Sequence, residues 1–231
     1  KSALRAGAGK VSVACHPDVQ AIVAAAQPEA MVHSIKDEDT LKPLLRDASA
    51  IALGPGLGQS RWSHDVFSQV MKADALKVID ADGLNLLASY PARSSKLLLT
   101  PHPGEAARLL QTTADEVEAD RFLAVTQLRE KYGAQVLLKG AGSLLVTDRG
   151  RCLIDRGSPA MASGGMGDLL TGLISGLLAQ RMAPAQALIA GALWHAMAGE
   201  EAGKDGERGT LASDLLPYIR RLVNGYGRDD D

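Results

Sequence analysis

Three glycines and one acidic residue stand directly before an apolar helical pattern in SPAMASGGMGDLLTGLISGLLAQ, residues 158–180. Backbone amides at a helix start have no intrahelical partner and carry partial positive charge, so they bind anions. Gly164, Gly165 and Gly167 would let a phosphate approach this backbone closely. The stretch is not a Walker loop, because no GK[ST] follows the glycines. It therefore predicts a phosphate-binding helix start.

Asp168 is the acidic residue of this stretch. A carboxylate has the wrong charge to bind a phosphate, but it can accept a proton from a hydroxyl group during phosphoryl transfer. The structural alternative is that Asp168 caps the helix. We predict that Asp168 is a general base. The leucines and Ile174 of the following helix should form core, and Gly172 and Gly176 should allow close packing on another face.

Four further turn motifs each follow an apolar run: GPGLG (54–58), DADGLN (80–85), TPHPGE (100–105) and KGAGS (139–143). Ligands of open α/β sheets bind beyond the carboxyl ends of the strands. Any one of these motifs is weak evidence. Together with the glycine-rich helix start they predict one composite site.

TPHPGE contains the most informative single residue. Pro101 and Pro103 stiffen the backbone around His102, which favours a ligand contact over a core position for that residue. Glu105 either holds a metal ion through water or sits in the first turn of the next helix.

The remaining motifs leave alternatives open. Lys139 of KGAGS could meet a phosphate, or the motif could be an ordinary hairpin turn. GPGLG could line a pocket or form a plain turn. Asp80, Asp82 and Asn85 could orient a substrate or a metal, or could cap a turn. His195, in an Ala-rich helix, is predicted to be a packed structural residue.

Alternating strands and helices must position these motifs. The predicted strands are 11–15, 50–53, 77–80, 96–100, 135–139 and 143–147, with a hairpin through Asp148-Arg149-Gly150 into RCLID. The predicted helices are 18–26, 60–73, 104–110, 115–131, 167–180, 184–202 and 209–223. This order predicts one α/β domain with a doubly wound, mainly parallel sheet and helices on both faces. The tail GRDDD is expected to fray.

Composition narrows the function classes. The chain has 231 residues, 46% of them hydrophobic, which suffices for a large core. The net charge of −2 and the lack of a basic run argue against nucleic acid, and no apolar run suits a membrane span. Cys15 and Cys152 form no CxxC pair, which favours reduced thiols in a cytoplasmic protein. The start at KSALRAGAGK reads as the end of a helix, so an upstream piece is expected to be missing.

These motifs, in this order, resemble those of the ADP/ATP-dependent NAD(P)H-hydrate dehydratases. The resemblance rests on GPGLG, DADGLNLL, LLTPHPGEAARLL, VLLKGAGSLL, MASGGMGD and GTLASDLL, and it covers essentially the whole chain. It implies a ribokinase-like fold and a nucleotide-dependent dehydration of (6S)-hydrated NADH or NADPH. Bacterial members use ADP and release AMP and phosphate. It also implies Mg²⁺, a homotetramer, fusion to an epimerase domain in the natural protein, and an N-terminal strand and glycine-rich loop before residue 1.

The same resemblance implies roles for individual residues. The AMP portion would contact Lys139, Gly140, Ala141, Gly142, Ser143 and Gly167, beside the phosphate site at Gly164 and Gly165. The hydrated nucleotide would contact Gly56 or Gly58, His102 and the general base Asp168. Glu105 matches an acidic position that related vitamin kinases associate with magnesium. Those kinases usually carry Asn in place of His102. A kinase of a vitamin-precursor alcohol and a nucleotide-binding module without turnover are the two competing hypotheses.

Overall fold

Residues 1–225 are described by a computed structural model of the chain, in which strands and helices alternate. The strands are β1 (Ser12–Cys15), β2 (Met31–Ser34), β3 (Ala50–Leu53), β4 (Leu76–Ile79), β5 (Leu97–Leu99), β6 (Gln135–Leu138), β7 (Ser143–Thr147) and β8 (Gly150–Ile154). The helices are α1 (Ser2–Arg5), α2 (Gln20–Ala26), α3 (Glu38–Asp47), α4 (Arg61–Lys72), α5 (Ala81–Ser89), α6 (Pro103–Leu110), α7 (Ala114–Ala119), α8 (Arg121–Tyr132), α9 (Met166–Ala179), α10 (Pro184–Gly203) and α11 (Leu216–Val223). The GRDDD tail lies outside the described residues.

The central sheet has six strands in the order β3-β4-β5-β6-β7-β8. Strands β3 to β6 pair in parallel, and β7 and β8 join as antiparallel neighbours. Strands β1 and β2 form a separate parallel pair. The prediction of a mainly parallel sheet is therefore confirmed, as is the hairpin, in which Thr147 pairs with Gly150.

Strands β4 to β7 of the central sheet are buried on both faces, which explains why they lack polar alternation. One core contains Ile79, Leu99 and Leu138 together with residues of α4, α5, α6 and α8. The other contains Val78 and Leu98 together with residues of α9, α10 and α11. Successive strand residues thus face opposite helix layers, and helices cover both faces.

Helix α9 packs as the sequence predicted. Its apolar residues are buried: Leu169, Leu170, Leu173, Ile174, Leu177 and Leu178. On another face, α1 lies so close that a Cβ at Gly172 would stand 2.9 Å from Ser2 Cβ, and one at Gly176 would stand 2.8 Å from the Ala3 carbonyl oxygen. The two glycines therefore permit a close helix crossing.

Some elements differ from the prediction. Strand β2 and helices α3 and α5 were not predicted: Pro43 interrupts the helical pattern of α3, and the start of α5 was interpreted as a turn motif. The single helix expected over 115–131 is two helices, because Asp120 ends α7 and caps α8 by accepting from Leu123 N. The last helix begins at Leu216 rather than at 209. Within residues 1–225 no helix is long and apolar enough to cross a membrane.

Candidate active site

The turn motifs that follow β3, β4, β5 and β6 are joined by direct contacts. Gly58 N donates to Asp82 Oδ2 at 2.8 Å, which ties GPGLG to DADGLN. Lys139 N donates to the Pro101 carbonyl at 2.8 Å, which ties KGAGS to TPHPGE. Lys139 Nζ reaches Asp80 Oδ1 at 2.7 Å. The structure therefore brings the motifs together at one edge of the sheet, next to the start of α9.

The glycine-rich stretch forms the start of α9. Gly165 is the N-cap residue with a φ of +84°, in the left-handed region that favours glycine. Gly164 is exposed, and a Cβ placed there would meet nothing within 4 Å. Ser163 Oγ donates to the Thr210 carbonyl at 3.0 Å, which holds the GTLASDLL segment beside this turn. The first amides of α9 are thus presented by a turn without bulky side chains.

Asp168 is the third residue of α9 and is exposed. The N-cap position belongs to Gly165, and no side chain caps this helix, so the capping alternative for Asp168 is wrong. Among residues 1–225 the Asp168 carboxylate has no hydrogen-bond or ion-pair partner. It is therefore free to act on a ligand in front of the helix.

Asp80 lies at the centre of the site and is buried, with 1% of its surface exposed. Its Oδ1 accepts from Lys139 Nζ and from Ala81 N at 2.9 Å. Its Oδ2 accepts from Thr171 Oγ1, on α9, at 2.7 Å. Asp80 caps α5, as the structural alternative held, and it also links α5, α9 and the end of β6.

His102 is the N-cap residue of α6. Its Nδ1 accepts from Gly104 N at 3.0 Å and from Glu105 N at 3.4 Å, while Glu105 Oε2 accepts from His102 N at 2.8 Å. Because Nδ1 accepts, a neutral ring carries its hydrogen on Nε2. Nε2 lies 3.5 Å from Glu105 Oε1, on the side of its own helix, and the side chain as a whole is about half exposed (52%), so the ring can still contact a ligand.

Glu105 fits the helix-start alternative better than a metal site. It closes the capping box of α6, and its Oε2 lies 3.6 Å from Lys139 Nζ. Mg²⁺ requires oxygen ligands at about 2.0–2.1 Å in an octahedron, and an ammonium group adds like charge at this place. Among residues 1–225 no group of three or more His, Cys, Asp or Glu side chains could hold a metal ion. These residues do not fit a resident, directly bound Mg²⁺.

KGAGS forms the turn between β6 and β7, as predicted. Gly140 and Gly142 have φ values of +153° and +71°. Arg121 Nη1 donates to the Ala141 carbonyl at 2.9 Å, and a Cβ at Gly140 would stand only 2.6 Å from Arg121 Nη2. The two glycines therefore permit the backbone conformation of the turn, and Arg121 stabilises the turn through its hydrogen bond to the Ala141 carbonyl.

The turn motifs GPGLG and DADGLN pack directly against each other. Gly54 has a φ of +131°, and a Cβ there would stand 1.7 Å from the Asp80 carbonyl oxygen. Gly56, with a φ of +66°, has nothing within 4 Å of such a Cβ and faces open space. Asn85 Nδ2 donates to Asp82 Oδ1 at 3.4 Å. Asp82 and Asn85 thus stabilise the turn, as the turn-capping alternative for these residues predicted. Gly56 lies on the side of GPGLG that faces open space.

His195 is buried in α10, as predicted for a structural residue. Burial lowers its pKa to about 4; a backbone hydrogen bond with Met166 opposes this shift, and the charge of Lys139 adds to it. Its Nε2 has no hydrogen-bond partner among the described residues. A neutral imidazole therefore packs beneath the start of α9.

Two site residues escaped the sequence reasoning. Thr171 lies one turn into α9, and its hydroxyl fixes Asp80. Arg121 is the first residue of α8, 18 positions before Lys139 of KGAGS. The signal for Thr171 was a polar residue, followed one turn later by Ser175, within an otherwise apolar helix. Nothing local marked Arg121, because its role depends on the packing of α8 beside the β6–β7 turn.

Comparison with solved structures defines the class of protein. A ribokinase-like superfamily protein of Enterococcus faecalis V583 has a TM-score of 0.88 and 25% sequence identity, covering 97% of this chain and 80% of that chain. An ADP/ATP-dependent NAD(P)H-hydrate dehydratase of Bacillus subtilis, co-crystallised with ATP/Mg²⁺, has a TM-score of 0.81 and 27% identity, covering 97% and 82%. The fold is ribokinase-like, as predicted.

Sequence comparison then defines the family. The family model described as NAD(P)H-hydrate dehydratase matches residues 1–221. The bifunctional NAD(P)H-hydrate repair enzyme Nnr of Coxiella burnetii is 47% identical over 226 residues, which cover 97% of this chain and 46% of that protein. Nnr of Escherichia coli K12 is 42% identical over 226 residues, 97% and 44%. The chain belongs to the NAD(P)H-hydrate dehydratase family of lyases, and it spans about half the length of these relatives.

Proposed function

We propose that the chain dehydrates (6S)-hydrated NADH or NADPH back to the reduced nicotinamide, with ADP as phosphoryl donor and with AMP and phosphate as products. The observation that carries this proposal is the exposed, unpartnered carboxylate of Asp168 in the first turn of a helix that begins with Gly164-Gly165. A base next to an anion-binding helix start suits proton removal coupled to phosphoryl transfer.

The proposed reaction has two stages. Asp168 takes the proton from the hydroxyl group of the hydrated ring, and that oxygen attacks the β-phosphorus of ADP while the bond to AMP breaks. The ring nitrogen's lone pair then expels phosphate from the carbon, and loss of a proton from the neighbouring ring carbon restores the double bond. The amides of α9 stabilise the transferred phosphoryl group by hydrogen bonds that are in place before the reaction.

The binding roles follow from the positions around Asp168. We assign the AMP portion to the turn Lys139–Ser143 and to Gly167, on the side of α9 that faces this turn. We assign the hydrated nicotinamide to the half-exposed ring of His102 and to Gly56 or Gly58 on the open side of GPGLG. Each of these residues borders the same sheet edge as Asp168.

Further parts of the proposal rest on relatives. A B. subtilis dehydratase was co-crystallised with ATP/Mg²⁺, so we propose that Mg²⁺ enters with the nucleotide phosphates and helps to neutralise their charge. From the family resemblance alone we also propose a homotetramer, to be tested by light scattering, and an epimerase domain in the natural protein; the Nnr of C. burnetii, named a bifunctional repair enzyme, is matched over 46% of its length. A cytoplasmic location agrees with the two free thiols of Cys15 and Cys152.

The test follows the return of reduced-nicotinamide absorbance. The protein is mixed with hydrated NADH, Mg²⁺ and either ADP or ATP. Recovery of NADH absorbance with ADP, together with release of AMP, supports the proposal. Recovery with ATP but not with ADP would identify ATP as the phosphoryl donor. A stable phosphorylated alcohol, formed from vitamin precursors without recovery of NADH, would instead identify a kinase. Tight ADP binding without any product would identify a binding module.

Asp168→Asn is the matched variant for the base. The substitution keeps the size and polarity of the side chain and removes its basicity. We expect kcat to fall by about 10²–10⁴-fold, the range for loss of a general base, with little change in melting temperature because the side chain is exposed and unpartnered. Turnover within about threefold of the unsubstituted chain would contradict the role of Asp168.

A further inference from the structure

Two buried carboxylates and one lysine meet at the centre of the site. Asp80 is 1% exposed and Glu105 is 6% exposed. Lys139 Nζ lies 2.7 Å from Asp80 Oδ1 and 3.6 Å from Glu105 Oε2. Charged carboxylates are costly to bury without a cation between them. In many proteins a metal ion supplies that charge, and here an ammonium group occupies the position.

We propose that Lys139 is the resident counter-cation of Asp80 and Glu105, and that the nucleotide-free protein holds no divalent ion at these carboxylates. A lysine ammonium has three donors, so it can face two carboxylates at unequal distances; its single charge pairs most closely with Asp80. An Mg²⁺ ion bound to Asp80 Oδ1 would stand within about 2.1 Å of that oxygen, in the space next to Nζ.

The other partners of the two carboxylates support this assignment. Thr171 Oγ1 donates a hydrogen bond to Asp80 Oδ2, and Ala81 N donates one to Asp80 Oδ1. His102 N donates one to Glu105 Oε2. These donors hold the two carboxylates in place around Lys139. A divalent ion that keeps several waters would have to displace the ammonium group of Lys139.

Lys139 is also held at its backbone. Its amide donates to the Pro101 carbonyl at 2.8 Å, and its carbonyl accepts from Arg121 Nη2 at 3.4 Å. Its ammonium group lies under the start of α9, where a Cβ at Gly167 would stand 3.2 Å from Nζ and 3.4 Å from Asp80 Oδ2. Lys139 is therefore a positioning residue: its charge holds the ends of β4 and β6 against the glycine-rich turn.

The first experiment titrates Mn²⁺ into the nucleotide-free full chain and follows free Mn²⁺ by electron paramagnetic resonance. We expect no saturable site in the unsubstituted protein below about 1 mM. Lys139→Met has an unbranched neutral side chain and should create about one site, with a Kd of about 10⁻⁴–10⁻³ M, the range of the weakest calcium-binding modules. Lys139→Arg keeps the charge and should create none.

The second experiment measures melting temperature with and without 10 mM Mg²⁺, about ten times or more the Kd expected for the variant site. Lys139→Met should melt lower than the unsubstituted chain, and Mg²⁺ should restore part of the loss. The double variant Asp80→Asn, Lys139→Met lacks the central charge pair and should show no Mg²⁺ response. A lysine that only packs would give the same Mg²⁺ response in all of these proteins.

Two results would overturn the proposal. One is a saturable Mn²⁺ site in the unsubstituted, nucleotide-free chain that Asp80→Asn removes. The other is a folded Lys139→Met variant with neither Mn²⁺ binding nor an Mg²⁺ response. If Lys139→Met does not fold, the titration of the unsubstituted chain decides alone. No hydrated nucleotide or ADP is present, so failure here leaves the dehydratase proposal standing.

Discussion

His195 makes the stability of this protein depend on pH in a defined window. Burial lowers its pKa from 6.5 to about 4 in the folded chain. Above pH 6.5 the ring is neutral in both the folded and the unfolded chain. As the pH falls below 6.5, His195 becomes protonated in the unfolded chain but stays neutral in the folded chain. The free energy of unfolding therefore decreases with falling pH until about pH 4, where the folded chain is protonated as well. At about 1.4 kcal/mol per pH unit, this amounts to about 3 kcal/mol.

The assay is urea unfolding at several pH values between 7.5 and 4, for the unsubstituted chain and for His195→Leu. The leucine has no titrating group, and it also removes an Nε2 atom that has no partner among the described residues. We expect the free energy of unfolding of the unsubstituted chain to fall by about 3 kcal/mol more than that of His195→Leu over this range. That is a large part of a typical total of about 5–15 kcal/mol.

A control separates titration from simple destabilisation. Leu188 is fully buried on the same helix, and Leu188→Val should lower the unfolding free energy at every pH without changing the shape of the curve. If the curves of the unsubstituted chain and His195→Leu run parallel between pH 7.5 and 4, the reasoning about His195 is refuted.

Predictions for four glycine substitutions can be checked by urea unfolding and, for Gly164, by ADP titration. Gly54→Ala should abolish folding or lower the free energy of unfolding by more than about 4 kcal/mol, because its Cβ would overlap the Asp80 carbonyl. Gly56→Ala should lower it by only about 1–2 kcal/mol, because the new Cβ would meet open space and only the left-handed backbone conformation is unfavourable. Gly176→Ala should cost about 1–3 kcal/mol, since its Cβ would press on the α1 backbone, and an unchanged stability would disprove that close crossing. Gly164→Ala should change stability by less than about 0.5 kcal/mol but weaken ADP binding; equal ADP affinity would argue against phosphate contact at this turn.

The sequence alone determined the layer architecture and located along the chain the motifs that the fold brings together at the candidate site. Apolar runs without polar alternation predicted strands buried on both faces, and the structure has helices on both faces. The glycine pattern located the start of α9 within one residue, because only glycine readily adopts the left-handed N-cap conformation of Gly165. These features depend on local backbone chemistry and on periodicity, both of which are visible in one dimension.

The sequence misjudged elements whose ends depend on side-chain capping. The helix break at Asp120 and the start of α5 at Asp80 are set by side-chain oxygens that accept backbone hydrogen bonds. An Asp in a turn motif is equally compatible with a ligand site and with a helix start. Both sequence alternatives at Asp80 therefore remained open until the contacts of its carboxylate were known.

Only the tertiary structure decided the partners within the site. Lys139 and Asp80 are 59 positions apart, and Thr171 and Asp80 are 91 apart, yet each pair is in hydrogen-bonding contact. The sequence offered Lys139 as a phosphate contact because a lysine beside glycines suits that role. That contact stays a prediction; in the structure its ammonium group lies between Asp80 and Glu105, since the parallel register of β4, β5 and β6 brings those strand ends to one edge. Such pairings arise from chain packing across the sheet, which no local pattern specifies.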